Sequence, residues 1–152
     1  RLHWPAATAG AVVLMVAAAP HALLLAHSDL RSSDAPRVVQ LEDGSTAVLD
    51  AGTALAVAFD GQQRHLRLLR GQAWFQVAHE QRPFQVEAGG GQIRDIGTAF
   101  SVSMQDTTVV TQVSEGVVDV HPGDGSVQRL HAGQSRVFRD GRWLQPMQLE
   151  DA

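Results

Sequence analysis

The side chains of this chain that are best suited to acid–base or metal chemistry are its histidines. No two of them stand at the close spacing of metal ligands, and several are single residues beside predicted turns. His79 is followed by Glu80, but neighbouring residues of a strand point to opposite faces, so they are not expected to act as an acid–base pair. We therefore predict no metal site among the seven histidines, which are His3, His21, His27, His65, His79, His121 and His131.

Nucleophilic catalysis has no better support. The chain has no cysteine, which excludes a thiolate nucleophile, a thiolate zinc site and a disulfide framework. Ser28 and Ser45 have acidic neighbours, but neither lies at a strand-to-helix elbow with a positioned histidine. The sequence therefore predicts a protein that is not an enzyme and that carries no cofactor.

Glycine runs and acidic pairs also have structural interpretations. The runs at 89–91 and 123–125 lack the following helix that a phosphate cradle needs, so they are interpreted as turns. The acidic pair at 42–43 is interpreted as part of a turn, and the pair at 150–151 as part of a solvated tail, instead of as glycosidase carboxylates. No catalytic residue is predicted.

Length and charge narrow the class of protein further. A chain of 152 residues can form one domain with a core. Its formal net charge is -4, and all 12 basic side chains are Arg, scattered along the sequence instead of clustered. This distribution argues against nucleic-acid binding.

An uncharged stretch opens the chain. Residues 5–26 read PAATAGAVVLMVAAAPHALLLA, and at ~1.5 Å per residue such a run can cross a ~30 Å hydrocarbon core. We predict a transmembrane helix over residues 1–28, with Arg1 on the cytoplasmic side. A cleaved signal peptide and a buried soluble helix are the alternatives, since Pro20 and His21 interrupt the run. Because the chain lacks an initial Met, we expect it to be a fragment.

Three further segments follow. Residues 29–36 are rich in Ser, Asp and Pro and are predicted to form a linker. A β domain is predicted over residues 37–145 and a tail over residues 146–152, because the hydrophobic period becomes two after the linker.

The clearest hairpin signal lies at the start of the β domain. Val39 and Leu41 alternate with polar residues, and Asp43 with Gly44 has the residue types of a tight turn with positive φ angles. Thr46 and Val48 continue the return strand. A second hairpin is predicted at 139–142.

Later segments repeat this alternation and predict inward-facing rows. Val118 and Val120 have the opposite parity to the row before them, so a bulge is expected near Glu115 and Gly116. Short strands separated by glycines predict an all-β domain, either a small antiparallel β-sandwich or a solenoid-like β-roll, with a barrel as a further option. The inward rows are Ala73, Phe75 and Val77; Phe84 and Val86; Thr98, Phe100, Val102 and Met104; Val109, Thr111 and Val113; Val118 and Val120; and finally Leu130 and Val137.

Six short motifs follow one another along the β domain. They are LEDGS at 41–45, LRLLRGQAWFQVAHE at 66–80, RPFQV at 82–86, GTAFSV at 97–102, SEGVV at 114–118 and AGQ at 132–134. In this order they resemble the FecR family of bacterial sigma-factor regulators. The ordered series, over about residues 37–134, is more specific than any one motif.

The resemblance implies a single-pass protein of the bacterial inner membrane with its β domain in the periplasm. The implied partners are the signalling domain of a TonB-dependent outer-membrane transporter loaded with an iron chelate, and an extracytoplasmic-function sigma factor. Sigma binding is expected in a cytoplasmic segment before Arg1.

Most motif positions are predicted to be structural, with glycines setting turns or bulges and apolar residues filling the core. Trp74 is the candidate for a protein contact, because it has the outward parity of its strand; packing flat on its own domain is the alternative. The structural positions are Gly44, Gly71, Phe75, Val77, Pro83, Phe84, Val86, Gly97, Thr98, Phe100, Val102, Glu115, Gly116, Val118, Gly133 and Gln134.

Two functional hypotheses remain. The first is a transmembrane regulator of the anti-sigma type that relays a signal from the transporter to the sigma factor and so controls iron uptake. The second is a secreted or anchored β domain that binds a small ligand or a saccharide. Sequence upstream of Arg1 would separate them.

Overall fold

The computed structural model describes residues 28–145. All eleven secondary-structure elements in that range are β-strands. The prediction of an all-β domain is therefore confirmed for these residues. The predicted transmembrane helix, except Ser28, and the tail at 146–152 lie outside them. The strands are β1 (Ser28–Arg31), β2 (Arg37–Gln40), β3 (Thr46–Leu49), β4 (Ala54–Phe59), β5 (Arg64–Gln76), β6 (Phe84–Ala88), β7 (Gly91–Gln105), β8 (Thr108–His121), β9 (Gln128–His131), β10 (Ser135–Arg139) and β11 (Arg142–Leu144).

The strands form one continuous sheet in two layers, because β5, β7 and β8 bend and take part in both. The first layer has the order β1-β4-β5-β6-β7-β8-β9 and uses the N-terminal halves of β5 and β7 and the C-terminal half of β8. The second layer has the order β2-β3-β5-β7-β8-β10-β11 and uses the other halves. Among the described strands, β5 and β6 form the one parallel pair, which departs from the purely antiparallel prediction.

Each bend contains a glycine with positive φ: 86° at Gly71 in β5, 135° at Gly97 in β7 and 80° at Gly116 in β8. Glycine adopts such angles without the steric penalty of a Cβ atom. At Gly71 a Cβ would also lie 2.4 Å from the Thr53 hydroxyl oxygen. Glycine is therefore required at this bend for two independent reasons.

The bends change which side chains face the core. In β8, Val109 and Val113 are buried before the bend, and Val118 and Val120 are buried after it. The register between β7 and β8 shifts at the same place, since an added residue turns all later side chains to the other face. The predicted bulge in β8 is thus confirmed.

A cluster of phenylalanines joins the layers. Phe84 of the first layer meets Phe75 and Phe100 of the second layer edge-on, with ring centroids 5.6 and 6.3 Å apart. All three side chains are fully buried. Burying each one contributes roughly 1.5–3 kcal/mol, and edge-on geometry suits the charge distribution of aromatic rings. This cluster holds the two layers together.

The predicted hairpins are both present. The turn of the β10–β11 hairpin has positive φ at Asp140 (50°) and Gly141 (76°), as a tight two-residue turn requires. The β2–β3 hairpin has a longer loop, since Gln40 pairs with Thr46. In that loop Gly44 has positive φ, at 88°, and Asp43 does not. The tight turn expected at Asp43 was therefore wrong in its geometry.

The boundary of the β domain also differs from the prediction. Residues 28–31, assigned to the membrane helix and the linker, form β1 and pair with β4. Ser32 continues this pairing, because its N–H donates to the Thr53 carbonyl at 3.0 Å. The sheet thus begins before Arg37. Within the described residues, no helix has the length and apolar character to span a bilayer.

The sequence pattern did not identify the buried side chains of β3 and β10. In β3 the buried side chains are Ala47 and Leu49, and Val48 faces outward. In β10 the buried side chain is Phe138, next to the predicted Val137, which is only partly buried. In both strands, the odd or even length of the preceding loop sets which side chains face the core.

Candidate functional site

A buried ion pair connects the first hairpin to the start of β5. Arg64 Nη1 donates to Asp43 Oδ2 over 2.7 Å, and the side chains are 3% and 0% exposed. Asp43 also accepts the N–H and the hydroxyl of Ser45, at 2.9 and 2.6 Å. Burial alone would raise the pKa of Asp43, but hydrogen bonds from Ser45 and Arg64 outweigh it and lower the pKa below its ordinary value. The carboxylate therefore stays ionised beside the buried cation.

The other donors of Arg64 fix the loop between β5 and β6. Nη1 also donates to the Ala78 carbonyl at 3.0 Å, and Nε and Nη2 donate to the Arg82 carbonyl at 2.9 and 2.7 Å. The guanidinium lies 5.3 Å from the centre of the Phe84 ring, within the range of a cation–π contact. The Ser45 hydroxyl oxygen accepts the Ala78 N–H at 2.8 Å. This loop is therefore attached both to β5 and to the β2–β3 hairpin.

The loop lines a cleft of about 440 Å³ together with the bend of β7 and one residue of β8. Ile96, at the bend, is 50% exposed. Two acidic side chains of the lining are paired with arginines: Glu80 with Arg82, and Asp119 with Arg129 at 2.9 Å. The hydrogen bond from Arg82 lowers the pKa of Glu80, as the one from Arg129 lowers that of Asp119. The cleft thus presents fixed charges around a partly apolar rim.

The cleft lining contains acidic, basic and histidine side chains. Its lining residues include no Ser, Thr or Cys that could serve as a nucleophile. Among residues 28–145, no cluster of three His, Cys, Asp or Glu side chains could hold a metal ion. His79 and Glu80 both line the cleft, but Glu80 is held by Arg82.

The motif residues are spread over the whole domain. The five glycines Gly44, Gly71, Gly97, Gly116 and Gly133 all have positive φ. Phe75, Phe84, Val86, Phe100, Val102 and Val118 are buried, and Val77 packs against this core. Pro83 lines the cleft, Thr98 lies opposite Gly116 in the sheet, Glu115 is exposed, and the Gln134 side chain accepts the His131 N–H at 2.9 Å.

Trp74 belongs to a row of apolar residues on the outer face of the second layer. Its indole N–H donates to the Ser114 hydroxyl at 3.3 Å, and the residue is half-buried. It pairs across the sheet with Val48 of β3, which pairs with Val38 of β2. Val38 is 68% exposed. We call Val38, Val48 and Trp74 the outer row; it runs from the middle of the layer to the free edge of β2.

Sequence reasoning missed the ion pair and the outer row. Arg64 has the same parity as Leu66 and Leu68, which are buried, and a charge on an inward row requires a buried counter-charge. That parity was a usable signal for the ion pair. No comparable signal marked Val38, because the adjacent pair Val38-Val39 leaves open which valine faces outward.

Comparisons with known proteins agree with the motif series. The sequence matches the family described as FecR protein over residues 28–119, more than half of the chain. The match begins at β1, earlier than the motifs do, and ends within β8. No curated protein sequence matches this chain.

Two crystal structures share the fold, each of a candidate anti-sigma factor from Parabacteroides distasonis ATCC 8503. Their TM-scores are 0.69 and 0.68, both at 25% sequence identity, over 78% and 77% of this chain. The chain spans only 58% of the length of each of those proteins. With the family match over residues 28–119, the chain belongs to the FecR family.

Proposed function

We propose that this protein is a transmembrane regulator of the anti-sigma type in which the β domain receives the signal. The family match over residues 28–119 carries the proposal. The likeness to structures of candidate anti-sigma factors supports it. Such a regulator acts through protein contacts, and its output is the availability of a sigma factor.

The proposed input is the signalling domain of a TonB-dependent outer-membrane transporter loaded with an iron chelate. The proposed output is an extracytoplasmic-function sigma factor, so that the regulated process is iron uptake. The apolar stretch at 5–26 supports a single pass through the inner membrane with the β domain in the periplasm. No catalytic step is part of this proposal, since the signal passes as a change in contacts.

Deletion of residues 28–145 from the gene that encodes the chain tests the proposal. Activity of the sigma-dependent promoter is measured with and without the iron chelate, and we expect the deletion to abolish the difference. The control is Val127→Ala, which changes one side chain that is 50% exposed and outside the cleft and should respond like the wild type. A deletion strain that still responds like the wild type would contradict the relay.

The cleft favours a second function, that of a secreted or anchored β domain that binds a small ligand or a saccharide. Its volume of about 440 Å³ falls in the range of roughly 300–1,000 Å³ for small-molecule sites. Calorimetric titration of the protein with a panel of monosaccharides and disaccharides tests it. Saturable binding that Arg94→Ala removes, together with an unchanged promoter response in the deletion strain, would favour this second function.

A further inference from the structure

Among the described strands, β1, β2, β9 and β11 have a partner on one side only. The other side of such a strand presents backbone N–H and C=O groups that a strand of another protein can pair with. The question is which of these edges is open.

Three of the edges are restricted. On β1, the Arg31 carbonyl already accepts the Arg37 guanidinium at 2.9 Å. On β9, the His131 N–H already donates to the Gln134 side chain at 2.9 Å. The third, β11, is three residues long, and alternation of the ladder leaves the backbone of Trp143 alone facing its free side.

The edge of β2 is open at two residues. The Leu41 N–H donates to the Ser45 carbonyl at 2.8 Å, which identifies this as a hydrogen-bonded pair of the antiparallel ladder. Alternation then makes Val39 the next residue bonded to β3, and directs the N–H and C=O of Val38 and Gln40 away from β3. No side chain of the described residues caps these four groups.

Side chains beside this edge define what could occupy it. Val38 is the most exposed large apolar side chain among the described residues, and it continues inward into Val48 and Trp74. A strand added to β2 would place every second side chain on this face, against Val38. Near the start of β2, the guanidinium groups of Arg31 and Arg37 have no carboxylate partner within the described residues.

We infer that β2 is the docking edge for the protein that delivers the signal. That partner adds an extended segment beside Val38 and Gln40, with an apolar side chain on the outer row and a carboxylate near Arg37. Backbone hydrogen bonds supply the pairing, and the outer row and the arginines select the segment. The inference rests on the proposed function and names the surface at which the contact is made.

A single thiol tests the inference, because the chain has no cysteine of its own. Val38→Cys in the full-length protein is labelled with a maleimide in cells that contain or lack the transporter, and labelling of the unsubstituted full-length protein is subtracted as background. We expect labelling to be about tenfold slower when the transporter is present, which corresponds to about 1.4 kcal/mol of protection. The control is Val127→Cys, at a position 50% exposed and away from β2, whose labelling rate should not change.

The possible outcomes separate the inference from the proposed function. If Val38→Cys is not protected, and a separate strain that lacks residues 28–145 has lost the promoter response, the docking edge is overturned and the proposed regulator stands. If the transporter protects Val38→Cys from labelling, but the promoter response of the deletion strain is like that of the wild type, the contact is supported and the relay is overturned. Slow labelling without the transporter, accompanied by dimers linked through Val38→Cys, shows that a second copy occupies the edge and also overturns the inference.

A second variant removes the backbone donor itself. Val38→Pro lacks the N–H that faces the free edge and leaves the β2–β3 hydrogen bonds in place. We expect it to lose the inducer response at unchanged protein abundance, while Val38→Ile, which keeps the N–H and the apolar surface, responds like the wild type. A normal response from Val38→Pro would contradict strand addition at this edge.

Discussion

Arg64 and Asp43 lie 21 residues apart in the sequence and form an ion pair of 2.7 Å with both side chains buried. The pair lies where the turn after β2 meets the loop after β5. The edge strand β2 is thereby connected, through its own turn, to the lining of the cleft.

Removing one member of this pair should destabilise the domain strongly. Asp43→Ala leaves the Arg64 charge buried without a counter-charge, and we expect a loss of about 3–5 kcal/mol in the free energy of unfolding. Urea denaturation followed by tryptophan fluorescence measures it. The matched control, Asp119→Ala, breaks an exposed pair with Arg129 and should cost less than about 1 kcal/mol. Equal losses in the two variants would show that the buried pair has no special role.

The same carboxylate makes stability depend on pH. A carboxyl group whose pKa is lower in the folded protein adds stability above its unfolded pKa of about 3.9, and this contribution is lost as pH falls through the folded pKa. Asp43 and Asp119 both have lowered pKa values. We expect the free energy of unfolding to fall as pH decreases below the unfolded pKa of about 3.9, and to fall less in Asp43→Asn. Identical pH profiles for wild type and variant would contradict this assignment.

Substitution of Phe100 tests the core that the two layers share. Its ring is fully buried and contacts Phe75 and Phe84, so Phe100→Ala should cost about 3–5 kcal/mol in the free energy of unfolding. In a domain stabilised by about 5–15 kcal/mol, this loss is large enough to threaten folding. Ile96→Ala, at an exposed position, should change stability by no more than about 0.5 kcal/mol. A loss below about 1 kcal/mol for Phe100→Ala would argue against the arrangement of the two layers.

The bend of β5 depends on Gly71. An alanine there would have a strained φ of 86° and a Cβ atom 2.4 Å from the Thr53 hydroxyl oxygen. We expect Gly71→Ala to cost at least about 1–3 kcal/mol. Gly61→Ala is the control, since nothing lies within 4 Å of its Cβ position and its φ is not in the left-handed region. Thermal unfolding of both variants compares them; a neutral Gly71→Ala would show that the bend tolerates a side chain.

Topology is tested with fusions after Ala152. With Arg1 in the cytoplasm and the β domain in the periplasm, an alkaline phosphatase fusion should be active, because that enzyme folds only outside the cytoplasm. A fluorescent reporter that folds only in the cytoplasm, fused at the same position, should be dark. The reverse pattern would contradict the proposed orientation.

Much of the fold was predictable because the residue types at single positions determine the local backbone geometry of bends and turns. The glycine at 116 between two valine rows of opposite parity predicted the bulge in β8, and Asp140 with Gly141 predicted a hairpin. The family resemblance was carried by motifs that mostly mark such bends and core positions, and the family match confirmed it.

The candidate surfaces were less predictable because they depend on distant parts of the chain. The parallel pairing of β5 with β6 follows from the bend at Gly71 and the return of the chain at Pro83, which no local pattern reveals. Residues 28–31 look like a linker because Asp29 and Arg31 are charged; they become a strand because β4 offers an edge. Whether the backbone N–H and C=O of Val38 are free to pair depends in turn on which strand lies next to β2.

The passage of β5, β7 and β8 through both layers has a consequence for how the domain forms. Neither layer can be completed alone, because each lacks its central strands until the other half of those strands is placed. Contacts of this kind join segments that are far apart in sequence. The entropy cost of closing the intervening loops must be met before burial of the core stabilises the domain. We therefore expect slow, all-or-none folding, with no stable state in which one layer stands without the other.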